Sequence, residues 1–374
     1  MSKPMRILHI VGAMYPGGME NFIMNLYEKI DRERFQFDFV VHLRKENDYV
    51  DQIEKMGGRV YLLPRLTKNP VQNLIHLYQL IQSNNYRIVI RHTANALIAP
   101  QLLTAKLAGA KTVCHSHSEQ DSMKILHFVG RLLMKTGVDK RLACSERAGI
   151  WMYGKRDFTI IHNAIDLSKY MYNQQKAEKI KKEFQIQDKH IYGHIGNLVE
   201  VKNHLFLLEV FRKISEKDDK AVLFFVGEGE LRDRIEEKIE ELKLKDKVIL
   251  TGVRYDVDYI MSAIEVIIFP SIFEGLPLTL IEAQIAGLPM VISDSIAKEV
   301  EVTEGLVYRN SLQDKEIHWA KTAMDIREQK KNRDCQKELI QKAGYDVEQL
   351  VEWYSGFLQD LLEKTTKRKI NGKV

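Results

Sequence analysis

Short runs of branched and aromatic residues alternate with helical, amphipathic segments along the chain, in two successive sets. The first set covers residues 6–11, 37–41, 60–63, 88–91, 112–115 and 141–145; the second covers 191–195, 222–226, 248–250, 266–269 and 290–293. Strands alternating with helices require crossover connections, and crossovers give parallel sheets covered by helices. The expected fold class is α/β with two Rossmann-like domains. At 374 residues the chain also exceeds one ordinary hydrophobic core. The expected domains are 1–175 and 190–345, with the polar, helical stretch 176–188 approaching a hinge. Residues 348–362 read as an amphipathic helix around Trp353, Phe357 and Leu361.

Composition narrows the class. Hydrophobic content of 45% and charge of 29% describe a globular protein. Cys114, Cys144 and Cys335 are widely spaced and form no CxxC pair, so a reducing cytoplasm is expected. The N-terminal apolar run is too short for a signal peptide, and no stretch approaches the roughly 20 apolar residues of a membrane span. Residues 1–190 hold 29 Lys and Arg against 18 Asp and Glu, a net +11, while the remainder is −6. A basic half suggests an anionic partner. No nucleic-acid module is present, so a membrane surface or phosphorylated acceptor fits better.

Strand 6–11 leads into a glycine loop, Gly12 to Gly18, and then a helical segment with Phe22, Ile23, Leu26 and Ile30 on one face. That is a Rossmann-like opening without the GxGxxG fingerprint, which argues against NAD. The densest signal is residues 269–290, FPSIFEGLPLTLIEAQIAGLPM. Pro270 stops a buried strand, Pro277 suits a helix start, and Gly287 closes the helix. Glu274 then lies in the loop and Glu282 in the helix. A helix N-terminus suits a phosphate, and ionised carboxylates are pure acceptors suited to sugar hydroxyls.

These residues resemble the Glu-x7-Glu motif of retaining glycosyltransferases of the GT-B fold, family 4. Pro270, Ser271, Glu274, Gly275, Pro277, Glu282, Ala283, Gly287 and Pro289 all fit it. The resemblance covers nearly the whole chain. It implies two Rossmann-like domains facing a central cleft: an acceptor-binding domain over 1–175, with a C-terminal helix, 348–374, packed back on it, and a donor-binding domain over 190–345. Gly17, Gly18 and Glu20 are similar to the family's Gly-Gly-Ala-Glu loop, where a bare backbone lets a ligand approach.

By the same resemblance, Glu274 holds the donor sugar's hydroxyls and Glu282 the ribose. Lys202 and the helix start at Leu276, Pro277 and Leu278 hold the diphosphate. Asn197 stands where the family has an arginine, so either Lys202 carries more of the charge or Arg254 assists. Gly227 and Gly229 shape the nucleotide pocket or serve only as turn formers, and the backbone near Arg254 reads the base. His117 is expected beside the donor sugar, with His115 in reserve; the two are expected on opposite faces of their strand. Residues His162 to Asp166 form a structural turn. Asp256 and Asp258 are expected to cap a helix, not to bind metal. No metal and no cofactor is expected.

The implied activity is a retaining, metal-independent transfer of a hexosyl or N-acetylhexosaminyl group. The donor is a nucleotide-diphosphate sugar, with a UDP-sugar expected. The acceptor is a polyprenyl-diphosphate-linked saccharide, in capsular or exopolysaccharide biosynthesis. That flavour comes from Cys144-Ser145-Glu146, Lys202-Asn203 and His318-Trp319-Ala320. A nucleotide-sugar epimerase on the same fold is the rival enzyme; a phosphorylase lacks its pyridoxal lysine motif. A non-catalytic partner subunit is the other rival, supported only by Asn197. Residues 123–135, MKILHFVGRLLMK, combine apolar positions with bracketing cations. They suit peripheral contact with the inner membrane face, or a helix packed on the sheet with a solvated basic edge.

Overall fold

The computed structural model describes residues 3–15, 17–46, 48–118, 124–329 and 332–370, side chains at 124–126 and 364–370 excepted. It divides into two compact units, Met1–Ile165 with Gly344–Val374, and Asp166–Ala343.

The first unit is built on seven strands: β1 (Met5–Ile10), β2 (Phe35–Val41), β3 (Val60–Leu62), β4 (Ile88–Thr93), β5 (Lys111–Ser116), β6 (Lys140–Ala143) and β7 (Thr159–Ile160). They form one parallel sheet in the order β3-β2-β1-β4-β5-β6-β7. Strand β2 reads FQFDFVV and is buried throughout, as a central parallel strand must be. Its one charge, Asp38, is held by the Arg6 guanidinium, the Tyr86 hydroxyl and the Arg59 amide, which meets the need of a buried carboxylate for partners.

The last helix, Val347–Ile370, belongs to this unit. Val347, Leu350, Tyr354, Leu358 and Leu361 recur at helical spacing and enter the core with Phe22, Ile23 and Phe37. Trp353 is 40% exposed, so the buried stripe runs through Tyr354 and Leu358 rather than centring on Trp353.

The second unit carries six strands: β8 (His190–Ile195), β9 (Ala221–Val226), β10 (Val248–Gly252), β11 (Val266–Phe269), β12 (Met290–Ser293) and β13 (Val307–Asn310). Their order is β10-β9-β8-β11-β12-β13, again all parallel. Tyr192, Leu208, Phe211, Phe225, Ile268 and Trp319 anchor its core. Strands β7 and β13 were not expected. The first is two residues long, and the second, VYRN, is half polar at a sheet edge.

Residues 166–175 sit with the second unit rather than the first. The helix Leu167–Tyr170 packs on the helices Val257–Ala263 and Leu278–Ile285. The polar stretch expected to approach a hinge is the helix Gln174–Glu183, capped by the Asn173 side chain. Its Ala177 and Ile180 are buried, and its Lys176 Nζ lies 2.5 Å from Asp258 Oδ2.

Candidate active site

In the second sheet β8 lies between β9 and β11, so the chain leaves it in opposite directions. Such a switch point opens a crevice outside the carboxyl ends of the two strands, the usual ligand place in an open α/β sheet. Two loops bound it. One follows β8 and holds Gly196, Asn197 and Lys202; the other follows β11 and holds Ser271, Glu274 and Gly275.

The loops are bonded into one body. The Ile272 amide donates to Val201 O at 2.8 Å, and Asn203 Nδ2 donates to Pro270 O at 3.3 Å. At the end of β12 and just past it, the Ser293 and Ser295 hydroxyls both donate to Ser271 O, at 2.6 and 2.8 Å. Asn203 makes the turn with φ of 60°, a left-handed conformation that asparagine tolerates.

Lys202 Nζ lies 2.5 Å from Glu274 Oε1, and each side chain is only 15% exposed. The ammonium also sits 4.7 Å from the centre of the Phe269 ring, so the ion pair is partly desolvated and its attraction is stronger than on an open surface. The cation and the carboxylate expected to bind different parts of one substrate are thus partners of each other.

Behind Glu274 the helix Leu278–Ile285 begins, with Pro277 as the residue before it and no side chain capping its first turn. Its amides remain as donors. A Cβ on Gly275 would meet no protein atom within 4 Å, so packing does not require glycine there. Glu282, on the same helix, is half-buried. Desolvation pushes its carboxyl up to about 7, opposed by the Tyr170 hydroxyl and the Lys169 ammonium and reinforced by Asp258.

Gly227 and Gly229, after β9, are more than turn formers. A Cβ on Gly227, whose φ is 140°, would stand 2.2 Å from Gly196 O; one on Gly229 would stand 2.3 Å from Leu198 O. The loops after β8 and β9 therefore meet backbone to backbone, with the Gly196 amide on Val226 O and the Leu198 amide on Glu228 O, both at 2.9 Å. Asn197 is exposed beside this seam.

Three expected roles change. Arg254 faces carboxylates, not an open site: its guanidinium binds Glu183 at 2.6 and 3.1 Å and Asp256 at 2.8 Å through two nitrogens. Asp256 does precede the helix Val257–Ala263, but no side-chain cap forms, because Arg254 holds its carboxylate. Asp258 is buried against Lys176.

In the first unit, Gly17 and Gly18 open the helix Gly18–Lys29. A Cβ on Gly18 would meet only Asn163, 3.9 Å away. The rings of His115 and His117 stand on the same side, with centroids 4.0 Å apart. Residues two apart on a strand share a face, so the expectation of opposite faces miscounts that period. His117 Nε2 lies 3.0 Å from His92 Nδ1, a contact not expected from sequence. Tyr170, Ser293 and Ser295 were likewise missed, and Asn203, named beside Lys202, was given no role in joining the loops. The left-handed turn at Asn203 leaves a weak sequence signal; Tyr170, more than a hundred residues from Glu282, leaves none.

An uncapped helix start, a lysine–carboxylate pair and a second carboxylate on the same helix stand at the switch point of the second sheet of a two-unit α/β chain. Residues 16–169 match the model of Glycosyltransferase Family 4, and residues 175–344 match that of Glycosyl transferases group 1. The chain belongs to the family 4 glycosyltransferases of GT-B fold. It is 34% identical to EpsF of Bacillus subtilis (strain 168) across 94% of this chain and 95% of that one. It is 26% identical to an Escherichia coli UDP-Gal:alpha-D-GlcNAc-diphosphoundecaprenol alpha-1,3-galactosyltransferase, across 77% of this chain and 79% of that one. Among solved structures it resembles HepE of Anabaena in complex with UDP, with a TM-score of 0.79 at 17% identity, covering 95% of this chain and all of that one.

Proposed function

We propose that this glycosyltransferase moves a hexosyl or N-acetylhexosaminyl group from a UDP-sugar to a polyprenyl-diphosphate-linked saccharide, with retention and without a metal ion, in surface polysaccharide biosynthesis. The observation that carries this is the Lys202–Glu274 pair at the start of the helix that bears Glu282. The relatives support it: one is named for a UDP-galactose donor and a diphosphoundecaprenol acceptor, another, CapH of Staphylococcus aureus, for capsular polysaccharide biosynthesis.

On this reading Lys202 turns from Glu274 to the diphosphate, joined by the amides at Leu276 and Leu278. Glu274, released, accepts hydroxyls of the sugar, and Glu282 accepts the ribose diol. Gly275 leaves room for the substrate, while Gly227, Gly229 and Asn197 shape the pocket wall. Gly17 and Gly18 offer bare backbone, and His117 is a sugar contact. The acceptor oxygen bonds to the anomeric carbon as the carbon–phosphate oxygen bond breaks on the same face. The acceptor's proton passes to the leaving diphosphate oxygen, so no enzymic nucleophile is needed. Positioning and charge placement supply the rate.

Membrane contact is part of the same proposal. The helix Lys124–Gly137 turns His127, Gly130 and Met134 inward and leaves Phe128, Val129, Leu132 and Leu133 roughly half or more exposed. Arg131 stands beside them, 5.5 Å from the Phe128 ring. Met123 and the side chain of Lys124 lie outside the described residues. No helix among those described is long and apolar enough to cross a membrane, so the contact is peripheral.

The test is transfer from a panel of UDP-, GDP- and ADP-sugars to a synthetic polyprenyl-diphosphate saccharide in excess EDTA. The expected product keeps the donor's anomeric configuration, forms from a UDP-sugar and forms equally with and without chelator. Loss with EDTA, restored by manganese, would return Asp256 and Asp258 to consideration as ligands.

A further inference from the structure

In the first sheet β1 lies between β2 and β4, so this unit has a switch point of its own, with a crevice outside the carboxyl ends of the two strands. Arg91 on β4 stands at that edge, level with Ile10, the last residue of β1, and is 8% exposed. A guanidinium has five N–H groups. Three are taken up inside the unit: Nε donates to Gln101 Oε1 at 3.0 Å, and Nη1 donates to Ile10 O at 3.0 Å and to His92 O. Nη2 bonds to no described residue, yet it is not sealed off from solvent. Its two N–H groups are the open corner of the guanidinium. Gln101 fixes the other side, donating in turn to Asn73 Oδ1 at 3.0 Å and to His42 Nε2 at 3.3 Å.

Among the described residues nothing balances this charge. Burial lowers the guanidinium to about 10, which leaves it charged at neutral pH. The group that favours its cation is the Cys114 thiol, which burial holds up at about 11 and so keeps neutral. No described carboxylate pairs with Arg91. The surrounding helices add to the positive potential. Gln101 is the third residue of the helix Ala99–Leu107 and Asn73 the fourth of the helix Pro70–Asn84, so both helices turn their amino ends toward Arg91. His42 lies in the same field: after burial, Arg91 and then Arg65 push it below its ordinary value.

Arg333 bonds carbonyls too, but its charge is balanced. Its guanidinium donates to Met261 O, Ile264 O and Ala286 O at 2.9, 2.8 and 2.9 Å. All three lie at the carboxyl ends of the helices Val257–Ala263 and Leu278–Ile285, where the dipole is negative, and Tyr172 and Glu265 favour the cation as well. Arg91 meets the opposite ends of two helices. A neutral donor would tie β1, β4 and Gln101 together without a buried charge, whose cost no described group offsets.

We propose that the crevice at β1 and β4 is an anion site centred on Nη2 of Arg91, and that it takes a phosphate of the acceptor's diphosphate. The choice of anion rests on the acceptor class proposed above. Gly12 leaves the entrance open: it is exposed, two residues past Ile10, and a Cβ there would meet nothing within 4 Å. Its carbonyl accepts the His42 amide at 2.9 Å, which joins the entrance to the Gln101 network. Guanidinium N–H groups and a phosphate oxygen form charge-assisted hydrogen bonds, stronger than those to the carbonyls that hold Arg91.

Calorimetric titration of the full chain tests this, with UDP held saturating and with inorganic pyrophosphate, farnesyl diphosphate and farnesol as probes. The wild type should bind farnesyl diphosphate, and pyrophosphate should compete with it. Arg91→Gln should weaken both by about 10- to 100-fold, the loss of charge-assisted hydrogen bonds, and leave the response to farnesol unchanged. Gly12→Asp keeps every bond of Arg91 and sets a carboxylate at the entrance. It should melt as the wild type does and bind both diphosphates about tenfold more weakly, and it decides the matter if Arg91→Gln does not fold. Equal binding by the wild type and the variants, or no binding by any of them, overturns the site. Arg91-dependent binding of pyrophosphate that farnesyl diphosphate does not share would be an adventitious ion only and overturns the assignment to the acceptor. No donor sugar or turnover enters these titrations. A wild type that transfers sugar to a diphosphate acceptor, yet binds farnesyl diphosphate no better than Arg91→Gln, fails this proposal alone.

Discussion

Glu282 is half-buried beside Asp258, with Tyr170 as its bonded partner. Its carboxyl, ordinarily near 4.5, stands at about 7 in the folded protein. The folded chain therefore holds a proton between these values that the unfolded chain releases. Stability from this group is fully present below 4.5, falls as pH rises through 4.5–7, and is level above 7; the whole effect is roughly 3 kcal/mol at most. Glu282→Gln should flatten that slope and raise the melting temperature at pH 8, as differential scanning calorimetry between pH 5 and 8.5 checks. An unchanged slope would mean that Glu282 is ionised across this range in the folded protein. The two glutamates were legible because the motif spaces them and puts one in a loop and one on a helix. Their partners were not: that Lys202 reaches Glu274, or Tyr170 reaches Glu282, depends on which strands lie side by side. Arg254 shows the same gap. A cation after a strand reads as a free cation until Glu183, on a helix 71 positions earlier, is placed against it.

At the scale of elements, the two sheets were legible because parallel strands buried on both faces read as continuous apolar runs. Strands at the margins, β7 and β13, are short or half polar and carry no such signal. The candidate site residues lie mostly in loops after the strands, and the glycines of those loops separate into two kinds. Gly227 is required by packing, since its Cβ would collide with Gly196 O and its φ lies in the region that favours glycine. Gly275 is not required by packing at all. Gly227→Ala should therefore lower stability by about 1–3 kcal/mol and weaken UDP binding with it. Gly275→Ala should leave the melting temperature unchanged yet reduce sugar transfer. Urea unfolding and turnover measured on both variants give the comparison. If Gly275→Ala transfers sugar as the wild type does, the space beside Gly275 is not substrate space.

Across the whole molecule, the charge imbalance and the helix Lys124–Gly137 point to one behaviour. Each cation near an anionic lipid surface contributes about 1 kcal/mol, an attraction that fades within a Debye length. The exposed Phe128, Val129, Leu132 and Leu133 add apolar area. Sedimentation with vesicles rich in anionic lipid should bring the protein down at low salt and release it at high salt. Leu132→Asp with Leu133→Asp should abolish sedimentation while UDP binding stays intact, since both side chains already face outward. Equal sedimentation with neutral vesicles, or no change in the double variant, would leave the helix as an ordinary solvated surface. The central claim, however, concerns the two glutamates, and calorimetric titration of UDP with parallel turnover measurements tests it most directly. At pH 8, where the Glu282 carboxyl is ionised, Glu282→Ala removes an acceptor of the ribose, a charge-assisted hydrogen bond of about 1.5–3 kcal/mol, so UDP should bind roughly 10- to 100-fold more weakly. Glu274→Ala frees Lys202 from its ion pair, so UDP should bind at least as tightly as in the wild type, while transfer from the UDP-sugar falls by a similar factor. Wild-type affinity and wild-type turnover in both variants would contradict the account.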